Sequence, residues 1–250
     1  MGVILMHKDR HKENCMVCGS DLNHLSQAIT GSCIYCGAQE QSYFVCPEGH
    51  FVCNHCHADD ALLTITKYCL SSTATDPGQM LEELLADPDV AMHGPEHHAL
   101  VPAVLVTAYR NVTGKVTDEA IIEAIRRASK IPGGYCGTYG ACGAGIGAGV
   151  AVAVVTGSTP LTPEPRALSN LITAQTLQKI AEQGGARCCK ASSRLALQAA
   201  QEFFAKHLDC IFPTSAPPSC SYMRRNKQCN LNQCGYFPIP SSHSAKKSLR

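Results

Sequence analysis

Apolar residues recur every three or four positions from about residue 79 onward, which is the spacing of helices with one buried face. Thr117 is the expected N-cap of one such helix, and Pro132-Gly133-Gly134 is expected to end it. Two later helices are predicted, from about Pro165 to Gly184-Gly185 and from about Ser192 to His207. The second part of the chain is therefore predicted to be mainly α. The clearest periodic sets are Met80, Leu81, Leu84 and Leu85, then Leu100, Val101, Val104, Leu105 and Ala108, then Ile121, Ile122, Ile125 and Ala128.

The chain before residue 79 has a different pattern, with short strand-like runs between cysteines. Ser42-Tyr43-Phe44-Val45 and His50-Phe51-Val52 fit the short hairpins that carry cysteine knuckles. Residues 71–78 are rich in Ser, Thr, Pro and Gly and are predicted to be a linker. We expect a small N-terminal zinc-knuckle module with β-hairpins over residues 1–70, a helical domain over 79–238 and a flexible tail over 239–250. The predicted fold class is mainly α.

Composition narrows the class of protein. Lys and Arg number 21 against 20 Asp and Glu, so no charge excess favours binding to nucleic acid. The longest apolar run, residues 144–156, is interrupted by glycines and falls short of the ~20 residues that span a bilayer. The first residues lack the order of a secretory leader, so a cytoplasmic location is expected. Thiols stay reduced there, and 16 cysteines are then expected to bind metal rather than form disulfides.

The cysteines form two sets of eight, with none between residues 70 and 135. The first set begins with two C-x-x-C-G turns. A Cys and a His four residues apart follow, and a third C-x-x-C turn comes last. Each turn lets two side chains reach one ion, and eight ligands suffice for two tetrahedral zinc ions. The spacing leaves open whether the pairs bind in sequence or crossed. The predicted zinc ligands are Cys15, Cys18, Cys33, Cys36, Cys46, His50, Cys53 and Cys56.

A dense polar segment precedes the helix that contains Leu100. Residues 93–98, His-Gly-Pro-Glu-His-His, hold three imidazoles and one carboxylate. Gly and Pro can fix a turn that presents these groups together. Glu96, His97 and His98 are therefore candidate catalytic residues for proton transfer, or ligands of a metal ion. The alternative is that these histidines only cap or pack at a helix start.

A glycine-rich stretch, residues 132–149, carries Cys136 and Cys142. So many glycines indicate that something approaches the backbone closely, either a neighbouring helix or a ligand. No strand-like run precedes the stretch, so a dinucleotide-binding site is rejected. We favour two thiolates at the N-terminus of a small-residue helix, whose amides can hold an anion or a cluster sulfide. The alternative is tight helix packing around two buried thiols.

The remaining cysteines lie at Cys188-Cys189 and farther along the chain. Adjacent cysteines seldom bind one ion together, so one ligand beside a free or catalytic thiol is the simpler interpretation, and Cys188 is the candidate catalytic thiol. The later spacing does not match a zinc knuckle but is acceptable for an iron–sulfur cluster, whose ligands can come from distant loops. Nearby cations are expected to offset the cluster charge or bind an anionic substrate. The later cysteines are Cys220, Cys229 and Cys234, and the cations are Arg187, Lys190 and Arg194.

Together these motifs resemble a domain-of-unknown-function family of anaerobic bacteria and archaea, over about residues 15–238. Its members look like stand-alone proteins or fusions to methyltransferase modules. The resemblance implies a metal-associated protein of anaerobic type and suggests a methyltransferase partner. The segments that carry it are residues 49–57, 93–102, 133–144, 156–161, 187–190 and 226–234.

The glycine-rich helix that begins at a cysteine is also loosely similar to the cluster-binding domain of iron–sulfur-dependent amino-acid dehydratases and desulfidases. That similarity implies a [4Fe–4S] cluster with one iron open to a small-molecule substrate, beside a base such as Glu96 or His97. The ligands would come from Cys136, Cys142, Cys189, Cys229 and Cys234.

The first functional hypothesis is therefore an iron–sulfur enzyme, either lyase-like or associated with methyl or sulfur transfer, with a structural zinc module. Two alternatives stay open. One is a zinc protein that docks a protein partner without catalysis. The other is a carrier of sulfur, clusters or redox equivalents that uses Cys188 and Cys189 as exchanging thiols.

Overall fold

The computed structural model describes residues 14–216 and 218–238, so the predicted tail at 239–250 lies outside the described residues. Within them, a two-stranded hairpin precedes eight α-helices and a short 3₁₀ helix. This confirms a mainly α fold with a small N-terminal hairpin module. The elements are β1 Asn23–Ser32, β2 Gln39–Val45, α1 Asn54–Ser71, α2 Pro77–Ala86, α3 Glu96–Thr113, α4 Asp118–Ala128, α5 Tyr135–Thr138, α6 Gly143–Val155, α7 Pro163–Gln183, α8 Cys189–His207 and the 3₁₀ helix Leu231–Gln233.

The N-terminal hairpin has little apolar core of its own. Its strands pair antiparallel, with Asn23 opposite Val45, and most of β1 is exposed. A two-stranded hairpin is at best marginally stable alone in water. The module therefore needs another source of stability, and its cysteines are the natural source.

Residues 50–52 are not a strand, so that sequence-based prediction is wrong. The chain turns at Gly49, and the carbonyl of Phe51 accepts a hydrogen bond from the N–H of Ile34 at 3.0 Å. This contact ties the segment to the second cysteine turn rather than to β2, and the segment leads directly into α1.

Helix α1 lies in the range predicted for the metal-binding module, yet it packs with the helical domain. Cys53 is its N-cap, and the N–H of Cys56 donates to the Cys53 sulfur at 3.4 Å. Its buried side chains pack against α3 and α4; they are Ala58, Ala61, Ile65 and Cys69. The predicted linker at 71–78 contains the end of α1 and the start of α2.

Helix α3 is the centre of the helical domain. Its residues 96–109 are all buried, and it contacts α1, α2, α4, α6 and α8. Pro102 lies inside the helix, and because proline lacks an N–H the carbonyl of His98 loses its helical donor. The first turn of α3, with its two histidines and Glu96, is buried inside the protein.

The glycines of α6 lie against two neighbouring helices. A side chain at Gly147 would bring its Cβ to 2.6 Å from the His98 carbonyl of α3, and one at Gly149 would meet Thr173 of α7 at 2.0 Å. Such distances are sterically forbidden, so only glycine allows this approach. Close helix packing therefore accounts for the glycine string between residues 143 and 149.

The other predicted helices are present with small changes of boundary. Thr117 is the N-cap residue of α4, although its hydroxyl donates to the Glu119 carboxylate rather than capping the backbone. Helix α8 begins at Cys189, three residues before the predicted start. No helix in the described part of the chain combines the length and apolarity needed to cross a membrane.

Candidate metal centres and active-site cavity

The cysteine turns of the N-terminal module converge in two groups of metal-binding side chains. In each group, one ligand atom per residue lies within 4.8 Å of all the others. The first C-x-x-C turn shares a group with Cys46 and His50, and the second C-x-x-C turn shares a group with the third. The pairs are therefore crossed rather than sequential. Each group supplies donors for tetrahedral coordination and could hold a metal ion such as zinc. The groups are Cys15, Cys18, Cys46 and His50, and Cys33, Cys36, Cys53 and Cys56.

The first two knuckles share one backbone design. Gly19 and Gly37 have φ of 78° and 74°, and each donates its N–H at 2.8 Å to the carbonyl of the first cysteine of its turn. Glycine adopts this conformation without steric cost. Hydrogen bonds from the hydroxyl and backbone of Ser20 lower the pKa of Cys18 to about 6. The thiolate that a metal requires is therefore accessible at neutral pH.

A cavity of about 480 Å³, which we call the central cavity, lies at the N-terminal ends of α3, α6 and α8. Its lining combines thiols, imidazoles and a guanidinium with small and apolar residues. All of its thiols and two of its imidazoles were predicted to be catalytic or cofactor-binding. The reactive side chains are His97, His98, Cys136, Cys142, Arg187, Cys188 and Cys189.

Glu96 and His97 form a buried carboxylate–imidazole pair at the start of α3. Both side chains are 1% exposed, and Glu96 Oε1 lies 3.1 Å from His97 Nδ1. The Gly94 carbonyl lies 3.2 Å from the same nitrogen. Because both neighbours are acceptors, Nδ1 carries a proton, and Nε2 is the ring nitrogen left to act on a substrate. That Nε2 is buried and has no hydrogen-bond partner within the described residues.

The Glu96 carboxylate is ionised although it is buried. Burial alone would raise its pKa, but the hydrogen bond and charge of His97, with the charge of His57, lower the pKa to about 2. His57 Nδ1 lies 3.8 Å from Glu96 Oε2. The carboxylate can therefore stabilise a positive charge that develops on His97. Glu96 does not line the central cavity and would act through His97.

His98 is fixed in the other wall of the central cavity. Its Nδ1 lies 3.0 Å from the carbonyl of Ile131, an acceptor, so this nitrogen is the protonated one. Burial lowers the pKa of His98, which keeps the ring neutral. A Cβ at Gly143 would lie 2.2 Å from the ring, so this glycine makes room for it. The Nε2 of His98 is left as a second neutral base or ligand.

The thiols of the central cavity are held close together in poorly solvated surroundings. Burial raises the pKa of Cys188 and Cys136, and raises the pKa of Cys189 to about 12. The charge of Cys142 raises the pKa of both Cys136 and Cys189, as expected for neighbouring thiols. Without a cation Cys136, Cys188 and Cys189 are protonated and weakly nucleophilic at neutral pH. A metal would convert them to thiolates.

The N-terminal module covers one side of the central cavity. His24 and Phe44 of the hairpin contribute to the lining. The guanidinium of Arg187 lies 5.2 Å from the centre of the Phe44 ring, a cation–π distance. The cavity therefore joins the metal module to the helical domain.

Two predicted cluster ligands do not line the central cavity. Cys229 and Cys234 border a smaller cavity of about 40 Å³ together with Cys220. Cys188 borders both cavities. Of the five predicted cluster ligands, three therefore line the central cavity and two border the smaller cavity.

For some residues of the site, the neighbouring sequence does not indicate a functional role. Asn54 accepts a hydrogen bond from the N–H of Gly133 at 2.8 Å and donates to Glu40, and nothing in its sequence surroundings predicts this bridge. His57 directly follows a metal ligand and was interpretable only as a solvated imidazole or a leftover ligand. Lys190, expected near a cluster or substrate, is fully buried and donates to the Leu85 and Val90 carbonyls instead.

These features define a cysteine-rich helical protein whose N-terminal module has two groups of side chains that could hold metal ions. The chain belongs to the DUF5714 family, a family of unknown function, whose model matches residues 65–237. The match covers most of the helical domain and leaves the N-terminal module outside it. Comparison with curated proteins and with solved structures gives no match. The anaerobic distribution and the methyltransferase partner stay predictions.

Proposed function

We propose that this protein is an iron–sulfur lyase that eliminates a small group from a substrate bearing a carboxylate. One observation carries the proposal: a carboxylate-backed imidazole and four thiols from two separate segments line one cavity. Cavities that join perturbed titratable groups with a few convergent polar groups are typical of active sites.

The donor set of the central cavity fits an iron–sulfur cluster. Cys136, Cys142 and Cys189 supply three thiolates, which is one fewer than a four-iron cluster needs for complete protein ligation. In the described residues, only the two N-terminal groups bring three or more ligand atoms within 4.8 Å of one another. That close spacing suits a single ion. The cavity thiols form no such group, and a cluster, which holds its thiolate ligands farther apart than a single ion does, is the metal group that they could share.

When bound, such a cluster would supply a Lewis-acidic iron that accepts a departing hydroxyl or thiol group. His97 Nε2 accepts the proton from the carbon adjacent to the leaving group. The electron pair of the broken C–H bond forms a carbon–carbon double bond, and hydroxide or hydrosulfide departs with its own bonding pair. Glu96 stabilises the resulting imidazolium of His97, and Arg187 is placed to bind the substrate carboxylate.

The test begins with protein purified anaerobically, in which iron, sulfide and zinc are measured per chain. About four iron and four sulfide are expected at the central site, with an electron paramagnetic resonance signal after reduction. Cys142→Ala should lose this iron and sulfide, whereas Cys69→Ala, which removes a thiol from the buried face of α1, should retain both. Anaerobic protein that contains zinc but neither iron nor sulfide would contradict the proposal.

Activity is tested with L-serine, L-cysteine and L-malate as probes. One of them is expected to alter the resonance signal and to be converted to its elimination product. His97→Ala should keep the cluster and lower the rate by about 100-fold or more, because it removes the general base. Arg187→Ala should mainly raise KM.

The N-terminal metal groups favour a second candidate, a zinc protein that docks a partner without catalysis. It predicts about two zinc per chain, no colour and no change of metal content in Cys142→Ala. The third hypothesis, a carrier with exchanging thiols, has less support because burial raises the pKa of both Cys188 and Cys189. Such a carrier would need a reactive thiolate.

A further inference from the structure

Four cysteine side chains border the smaller cavity near the end of the described chain. They come from three segments: the N-cap of α8, the loop around residue 220 and the two sides of the 3₁₀ helix. Its lining is mostly apolar and includes Met92 and Tyr222, so the thiols face a poorly hydrated space of about 40 Å³. We call them the C-terminal thiol cluster: Cys188, Cys220, Cys229 and Cys234.

Backbone amides point at the sulfurs of this cluster. The N–H of Tyr222 donates to Cys220 Sγ at 3.4 Å, and the N–H of Leu231 donates to Cys229 Sγ at 3.4 Å. The four-cysteine group of the N-terminal module has the same kind of contact, from an amide to Cys53 at 3.4 Å. Amide hydrogen bonds to sulfur stabilise thiolates and are a regular feature of thiolate-bound metals.

Buried cations lie beside the C-terminal thiol cluster. Arg194 is 5% exposed and lines the small cavity together with Cys220. Lys190 is fully buried, donates to two carbonyl groups and lies 4.9 Å from the Tyr222 ring. Arg194 has Glu82 as its partner at 2.7 Å, whereas Lys190 donates to neutral carbonyls and feels the charge of Glu96. A buried cation is stabilised when an anionic group lies nearby, and a four-thiolate metal centre is anionic.

The segment that carries three of the cysteines has little regular structure. In its described part, from residue 208 to 238, the only helix is the three-residue 3₁₀ turn. Irregular segments of this length in a compact domain are uncommon. Such segments are ordered when a disulfide, a bound metal or a ligand fixes them. The cysteines of this segment form no disulfide, which leaves a metal as a means of fixing it.

We infer that the C-terminal thiol cluster is a closed metal centre that fastens this segment to the start of α8. Four protein thiolates leave no coordination position for a substrate, so the centre is structural or passes electrons, unlike the open central cavity. These thiols do not form a group with ligand atoms within 4.8 Å of one another, so they suit an iron–sulfur cluster, whose thiolate ligands lie farther apart than those of a single ion. The peptide bond between Cys188 and Cys189 places it directly beside the central cavity. This inference does not depend on the proposed lyase activity.

The first test compares metal and sulfide per chain in anaerobically purified full-length variants. Cys220→Ala/Cys229→Ala should lose about four iron and four sulfide, while the zinc of the N-terminal module stays. Cys210→Ala, a buried thiol of the same segment, should keep all metal. Cys142→Ala should also keep this centre. Failure of the inference about the C-terminal thiol cluster is therefore distinguishable from failure of the proposed central site. An unchanged metal and sulfide content in the double variant would overturn the inference.

A second measurement uses the wild-type chain, in case the double variant does not fold. The four cysteines should resist alkylation together and become at least tenfold more reactive together when a chelator removes the metal. Cys210 should be protected to the same extent with and without the chelator. Equal alkylation rates before and after chelation would overturn the inference, as would a disulfide among the four in anaerobically unfolded protein.

Discussion

At the scale of single residues, the carboxylate of Glu96 is the group under the strongest constraint. It is 1% exposed and is held ionised by the imidazoles of His97 and His57. We predict that Glu96→Gln lowers the free energy of unfolding by about 2 kcal/mol, because an amide brings a donor where acceptors are needed. Urea denaturation under anaerobic conditions at pH 7 measures this.

The matched control for that prediction is Glu123→Gln, which also removes a carboxylate beside two partners. Glu123 pairs with Arg126 and Arg127 on the outer side of α4, at 2.6 and 2.7 Å, where solvent screens the charges. Its loss should cost about 0.5 kcal/mol or less. Equal costs for the two substitutions would mean that burial of the Glu96 pair contributes nothing to stability.

Local density of reactive side chains was enough to single out the histidines and most of the cavity thiols. It could not assign their roles, because those depend on which ring atom faces an acceptor and which faces the cavity. His97 and His98 are adjacent, yet one is backed by Glu96 and the other by a backbone carbonyl from another segment. Sequence spacing contains no information about the second contact.

At the scale of elements, helix α2 is fastened at its start by Asp76. One carboxylate oxygen accepts hydrogen bonds from the N–H groups of Gly78 and Gln79, and the other accepts from Ser215. We predict that Asp76→Ala costs about 1 to 2 kcal/mol in thermal or urea unfolding. Thr117→Ala is the control, because Thr117 is an N-cap residue without a side-chain bond to the backbone, and it should cost clearly less.

Helix α6 can be tested through its close approach to α3. A Cβ at residue 147 would lie 2.6 Å from a backbone oxygen, which cannot move without shifting α3. We predict that Gly147→Ala destabilises the fold by about 1 to 3 kcal/mol, the usual range for overpacking. Gly137→Ala has nothing within 4 Å of the new methyl group and should be nearly neutral. A neutral Gly147→Ala would show that the two helices can separate freely.

The elements that the sequence predicted well are those whose apolar repeat is strong, such as α3 and α4. Helix α1 was missed because its first turn coincides with a C-x-x-C motif, which indicates a knuckle. Its buried face is also weakly apolar, with alanines and Cys69 beside Ile65. The cysteine motif and the helix are compatible, since Cys53 serves as N-cap and as a metal-binding side chain.

At the scale of the whole molecule, the N-terminal module and the helical domain meet around the central cavity. Phe44 lies under Arg187, and His57, one residue beyond the four-cysteine group, lies near Glu96. The domain boundary near residue 70 was argued from composition, which cannot reveal contacts between distant segments. In the structure, α1 runs from the metal group into the helical core, so the state of the metal group can influence the cavity wall.

The hydrogen-bond bridge through Asn54 gives this coupling a specific test. Asn54 links Glu40 of the hairpin to the N–H of Gly133, just before the segment that carries Cys136. We predict that Asn54→Ala retains its metals but exchanges the amide hydrogens of residues 133–138 about 5- to 30-fold faster, as expected for the loss of 1 to 2 kcal/mol of local stability. Hydrogen–deuterium exchange with mass spectrometry measures this segment directly.

Asn111→Ala, which removes two hydrogen bonds to the chain after α1, should leave the exchange rates of residues 133–138 unchanged. Faster exchange spread evenly over α3 and α4 would instead indicate a general loss of stability and contradict a specific link between module and cavity.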